Sequence, residues 1–126
     1  MNSMLTNATG TLLERAQRGE TDAVAELYAA DAILVPPDAP PASGLEAIAA
    51  YWRANWNASR GEYVVLEQRL APVNEVGDGT LSIELVAVLT RLRGRDGREH
   101  RCTGRALFVW RHEGSRSRKL LRDMWA

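Results

Sequence analysis

The chain has 126 residues, 45% of them hydrophobic, which is enough apolar material for one core and too little length for a second domain, so residues 1–126 read as one unit. Sixteen basic side chains balance sixteen acidic ones, which argues against a uniform field able to hold nucleic acid or an anionic membrane. Cys102 is the single cysteine, so an intrachain disulfide and a cysteine-based zinc site are excluded and a reducing, cytoplasmic setting fits.

The opening Met1-Asn2-Ser3-Met4-Leu5 lacks the basic start and apolar core of a secretion signal, and no stretch approaches the ~20 apolar residues of a membrane span. Thr9 and Thr11 are candidate caps for a first helix that runs to about Arg18, with Leu12, Leu13 and Ala16 at helical spacing and Gly19 ending it. Thr21 caps a shorter second helix through Val24, Leu27 and Tyr28. Asp31 to Val35 is then a brief extended run, stopped by Pro36 and Pro37. The segment from Pro36 to Ala42 holds four prolines, cannot donate its full set of backbone hydrogen bonds, and reads as a stiff loop. Ser43 or Gly44 opens a third helix carrying Ile48, Tyr51, Trp52, Asn55 and Trp56.

From Glu62 the apolar period falls from about 3.6 to about 2, predicting four strands near 62–73, 80–92, 99–112 and 118–125. The connecting turns are Gly77-Asp78-Gly79, Gly94 to Gly97, and His112 to Ser115, all suited to antiparallel hairpins. Helices first and strands after them is an α+β order. The middle two long strands are apolar on both faces: Val86 and Val88 oppose Leu85, Ala87 and Leu89, and Phe108 and Trp110 oppose Leu107 and Val109. Helices cover one face of such a sheet, so the other is expected to meet a second copy of the chain in a homodimer.

Alternation along the last strand puts Leu121, Asp123 and Trp125 on one face. A carboxylate between two large apolar groups must be paired, wet through a cavity, or employed, since its burial otherwise costs several kcal/mol or shifts its pKa. His100 and His112 are twelve residues apart on one strand, too far for shared coordination, so no metal site is expected. Cys102 reads as a buried small hydrophobe, because no His or Lys is poised to activate it. The arginines around Gly94 are interspersed with Asp96 and Glu99 and read as a solvated hairpin.

Several runs carry a family resemblance. Gly19-Glu20-Thr21-Asp22, Leu27 to Ala32, Pro36-Pro37, Gly44 to Ile48 and Tyr51-Trp52 resemble the N-terminal signature of the nuclear transport factor 2-like superfamily, and Gly104 to Trp110 with Arg122 to Trp125 resemble its C-terminal one. The chain is thereby similar to the SnoaL-like, ketosteroid isomerase-like branch. The fold this implies is a cystatin-like α+β cone, a curved antiparallel sheet wrapped around N-terminal helices. The resemblance also implies what is missing. Where ketosteroid isomerases carry a general-base Asp, an oxyanion-hole Tyr and a protonated Asp, this chain has Pro36, about Leu12, and about Ala106. Arg122-Asp123 resembles the Arg-Asp of limonene epoxide hydrolase, but Leu34-Val35-Pro36 does not match that enzyme's Tyr and Asn.

If the concave face takes the even-numbered residues of the middle strands, it presents Glu84, Val86, Val88, Cys102, Gly104, Ala106, Phe108 and Trp110, small before large, leaving a hollow at one end. By analogy with the family, Leu121, Asp123 and Trp125 join it from the last strand, and Tyr51 and Trp52 from the third helix. Two readings stay open. In one, the protein is a cofactor-independent isomerase, cyclase or hydratase acting on a compact hydrophobic metabolite. Its Asp123, with Glu84 or Tyr51, moves a proton, while Tyr28, Trp52, Val86, Phe108, Trp110 and Trp125 line the pocket. In the other, it is a non-catalytic ligand-binding or dimerisation module. Asp123 then only accepts hydrogen bonds from indoles or backbone, Glu84 sits wet at a strand end, and Trp56 is core.

Overall fold

The computed structural model of the chain describes residues 3–59, 62–77, 80–113 and 118–126. Helices α1 (Ser3–Gln17), α2 (Thr21–Ala25) and α3 (Leu45–Ser59) accompany strands β1 (Tyr28–Val35), β2 (Ala42–Ser43), β3 (Tyr63–Gly77), β4 (Leu81–Gly94), β5 (Glu99–His112) and β6 (Arg118–Trp125). The six strands form one sheet in the order β2-β1-β6-β5-β4-β3. The expected turn residues Asp78, Gly79, Gly114 and Ser115 lie outside the described residues.

α1 ends as its sequence indicates. Gly19, at φ 74°, gives its N–H to the Ala16 carbonyl, and Glu20 gives its own to Arg15 O at 3.0 Å, so two carbonyls of the last turn are satisfied. A side chain at Gly19 would also strike the Trp56 ring, which lies 2.5 Å from where a Cβ would stand. α1 begins earlier than the threonines suggest. Thr9 is an interior, fully buried residue of the helix, and its hydroxyl is used elsewhere.

Tyr28 does not continue α2, as its spacing suggested, but starts β1. The helix stops at Ala25, the Leu27 carbonyl accepts from the Leu120 N–H at 2.8 Å, and pairing with β6 outweighs the local helical preference. Gly44, at φ 87°, links β2 to α3. Its N–H reaches the Ala32 carbonyl at 2.9 Å while its own carbonyl accepts from Ile48.

All the long hairpins are antiparallel, but β1 runs parallel to β6, so the sheet is mixed. The sequence could not show this pairing, because β1 reaches β6 across the whole chain. β6 also carries a bulge: Val109 pairs with Arg122 and Trp110 with Leu120, leaving Leu121 between them. Strict alternation fails there, and Leu120 is fully buried whereas Leu121 is only partly so.

The core lies between the helices and one face of the sheet. Leu12, Leu13, Val24 and Ile48 meet Tyr28, Ala32, Leu34, Val86, Val88, Ala106, Phe108, Trp110 and Leu120. The even-numbered residues of β4 and β5 do face inward, but burial on β5 begins only at Ala106. Cys102 is exposed, which corrects its reading as a buried hydrophobe: the outer half of the β4–β5 hairpin extends past the helices. The hairpin's charges form exposed pairs, Arg91 with Glu99 across β4 and β5 at 2.9 Å and Arg95 with Glu62, just ahead of β3, at 3.5 Å. No helix among the described residues is long and apolar enough to cross a membrane.

Candidate functional site

One transverse row of the sheet organises the inner face. Leu34 of β1 stands opposite Asp123 of β6, Asp123 opposite Phe108 of β5, and Phe108 opposite Glu84 of β4. All four side chains are buried. Asp123 and Glu84 therefore share a face, with the Phe108 ring between them and their backbones two inter-strand spacings apart, roughly 10 Å.

Asp123 is the more unusual of the two acids. It is wholly buried, and its Oδ2 accepts a hydrogen bond from the Tyr28 hydroxyl. Its Oδ1 has no hydrogen-bond partner among the described residues. Burial pushes the Asp123 carboxyl up to about 7, against smaller lowering influences from Tyr28 and the nearby Trp125 indole. The Trp125 N–H itself meets no acceptor in hydrogen-bond geometry among the described residues. Its ring stands edge-on to Phe108, centroids 5.7 Å apart at 89°, and so walls the acid on that side.

Tyr28 is held in turn by α3, whose Trp52 donates its indole N–H to the Tyr28 oxygen at 3.1 Å. Burial and the neighbouring Asp123 raise the Tyr28 phenol well above its ordinary range, so Tyr28 keeps its proton and acts as the donor. Tyr51 is half-buried. Its ring packs edge-on to Trp52 at 6.0 Å, and its oxygen accepts from Asn55 at 3.4 Å. Burial first, then the charge of Asp38, raises its pKa. The phenol in contact with Asp123 is thus Tyr28.

Glu84 is fully buried, not wet at a strand end. It is the fourth residue of β4, near the strand's start, but α1 lies over it, with the Thr9 hydroxyl donating to Oε1 at 2.8 Å. Glu84 is not among the groups that shift Asp123. Val86, Phe108 and Trp110 are in the core, while Trp52 and Trp125 pack against it. Trp56 is half-buried over Gly19. Arg122 points away from Asp123, as adjacent strand residues must, and donates to the carbonyls of Leu121 and Asp31. Pro36, which the resemblance sets where ketosteroid isomerases carry their base, is buried.

Two pairings escaped the sequence reading. Thr9 looks like a cap, and nothing in the pattern ties it to Glu84, 75 residues on. Ser82 and His112 meet at 2.7 Å between Oγ and Nε2, a contact fixed by the β4–β5 register. Among the described residues no three of His, Cys, Asp or Glu gather as a metal site would require.

A helical layer against one face of a curved mixed sheet is the cystatin-like, nuclear transport factor 2-like α+β architecture. The SnoaL-like domain family matches residues 11–118, and the chain belongs to it. No curated protein matches. Among solved structures, a ketosteroid isomerase-like protein from Erwinia carotovora atroseptica SCRI1043 is 17% identical with a TM-score of 0.78, covering 99% of this chain and 96% of that one. An NTF2-like protein with a cystatin-like fold from Novosphingobium aromaticivorans is 16% identical, TM-score 0.77, over 98% of this chain and 79% of that one. A Catenulispora acidiphila protein solved in complex with S-DNPA is 13% identical, TM-score 0.75, over 98% and 90%. At these identities the likeness is one of fold.

Proposed function

We propose that this protein binds a compact, uncharged hydrophobic molecule on the inner face of its sheet and that Asp123 moves a proton on it without a cofactor. The observation that carries this reading is one wholly buried carboxyl group, poised at about 7, with an oxygen that no described residue occupies. A general acid or base is most effective when its pKa lies near the working pH, and Asp123 is the group placed to meet that condition. Among the described residues the buried polar and charged side chains are Thr9, Ser82, Glu84 and Asp123, two acids and no base, which disfavours an anionic ligand. Tyr51, Trp52, Phe108 and Trp125 supply the aromatic walls, and Glu84 across Phe108 serves as a second, separate acid. The S-DNPA complex of the Catenulispora acidiphila protein supports small-molecule binding by this fold.

The test is native mass spectrometry of the purified protein for a co-purified small molecule, followed by turnover of that compound by wild type and Asp123→Asn. A folded Asn variant that still binds but no longer turns over is the expected result. Binding without turnover in the wild type would establish the module reading, with Asp123 a structural acid.

The proposal extends to the outer face. Ile83 pairs with Val109, and Leu85 with Leu107, which pairs with Met124; Ile83 is 40% and Met124 47% exposed, with Leu81 beside them. A second copy of the chain covers this apolar strip in the proposed homodimer.

A further inference from the structure

We propose that Trp52 and Tyr28 form a one-way hydrogen-bond relay that commits Oδ2 of Asp123 to accepting, so that Oδ1 is the single oxygen through which this carboxyl group takes up or releases its proton. The inference rests on the acid-base reading of Asp123 for its functional meaning, but the relay itself follows from donor and acceptor accounting. An indole nitrogen can only donate, so the 3.1 Å contact runs from Trp52 to the Tyr28 oxygen. Tyr28 has one proton left to place, and Asp123 Oδ2 is the acceptor it reaches. If Oδ2 carried a proton instead and donated it to Tyr28, the phenol hydrogen would be left buried without an acceptor, a loss that the observed arrangement avoids. The proton of neutral Asp123 therefore belongs on Oδ1, the oxygen with no described partner.

Tyr28 and Trp52 are positioning residues in this scheme. They touch the acid, fix its orientation and favour its anion from one side, leaving the other oxygen to the ligand. The titratable groups facing Asp123 are Tyr28 from β1, Tyr51 from α3 and, across Phe108, Glu84 from β4; Trp125 flanks it on its own strand and Arg122 points to the opposite face. Of these, Tyr28 donates to the carboxylate in full hydrogen-bond geometry, and the Trp125 indole N–H, outside that geometry, is the weaker second donor that also favours the anion.

The experiment is a carbon-detected NMR titration of the Asp123 carboxyl in the intact protein and in Tyr28→Phe, Trp52→Phe and, as a core control with no hydrogen bond to the relay, Leu13→Ala. The wild-type midpoint lies at about 7. Removal of a hydrogen bond to a charged group moves the Tyr28→Phe midpoint upward by roughly one to two pH units. Trp52→Phe moves it upward by a few tenths, since the phenol donates less strongly once nothing donates to it. Leu13→Ala destabilises the fold and leaves the midpoint in place. A folded Tyr28→Phe variant with an unmoved midpoint overturns the relay. In the wild type alone, the Tyr28 ring carbon next to the hydroxyl must titrate with the Asp123 midpoint, and a ring blind to it overturns the relay even if the variants do not fold. A relay that passes both tests in a protein with no turnover stands, while the acid-base reading falls.

Discussion

Replacement of Asp123 by Asn turns the buried carboxyl group into a stability measurement. In the fold its pKa is raised from 3.8 to about 7, a displacement of about three pH units. At about 1.4 kcal/mol per unit, ionising Asp123 inside the protein costs roughly 4 kcal/mol more than ionising it in the unfolded chain. The sign follows from proton counting. Below about pH 4 both states hold the proton. Between there and 7 the folded state keeps a proton that the unfolded state has released, so stability falls as pH rises, with a slope approaching 1.4 kcal/mol per pH unit, about a tenfold change in the folding constant. Above 7 the loss is complete. Asn mimics the neutral acid and can still accept from Tyr28. Urea unfolding of both proteins from pH 3 to 8, at one fixed protein concentration, should show near-equal stability at the acid end. At the alkaline end the Asn variant should lead by up to roughly 4 kcal/mol. Subtraction of the two curves cancels every other titrating group. A difference that is flat with pH would mean that Asp123 ionises as an ordinary carboxyl group, and the argument for its poised proton would collapse.

Three other outcomes test the packing. Thr9→Val removes the hydroxyl that meets buried Glu84 while preserving shape, and should lower the unfolding free energy by roughly 1–3 kcal/mol in urea melts. Gly19→Ala forces a side chain into the Trp56 ring and a left-handed backbone, costing roughly 1–2 kcal/mol by thermal or urea unfolding. Trp56→Ala in the same chain should relieve the collision and leave the backbone penalty, so the pair is less than additive. On the outer face, Leu85→Asp with Leu107→Asp places charges opposite each other across β4 and β5, and sedimentation should then show monomers where the parent sediments as a dimer. A parent that is itself monomeric at micromolar concentration would refute the covered-face reading.

Local chemistry made much of the fold legible. The Gly19 stop, the proline loop and the change of period at Glu62 each depend on residues a few positions apart; alternation divided β4 and β5 into two apolar faces, and the even-numbered one, taken as concave only conditionally, is the inward face. Family resemblance supplied the expectation of a cone. Long-range partnerships were not legible. Glu84 looked like a wet strand-end residue because its cover, Thr9, comes from a helix whose threonines resemble caps. Cys102 looked like core because alternation continues along β5 beyond the reach of the helices, and a strand's period does not reveal where its cover ends.

The Tyr28–Asp123 contact was hidden for a more particular reason. Tyr28 lies opposite Leu120 and Leu34 opposite Asp123, so six steps along β1 match only three along β6. A regular parallel pair would advance equally on both strands and carry Tyr28 about 20 Å from the level of Leu34. The register shift after Tyr28 shortens that advance to three steps of β6, roughly 10 Å, a gap that a tyrosine leaning along its strand and an aspartate can close together. The bulge at Leu121 falls between those same two β6 positions. An irregularity on each strand, at one level of the sheet, thus brings a phenol to the acid, and α3 supplies Trp52 to that phenol. Tyr51 neighbours Trp52 on that helix, but its ring packs on the indole edge and its oxygen meets Asn55, which leaves Tyr28 to orient the carboxyl group.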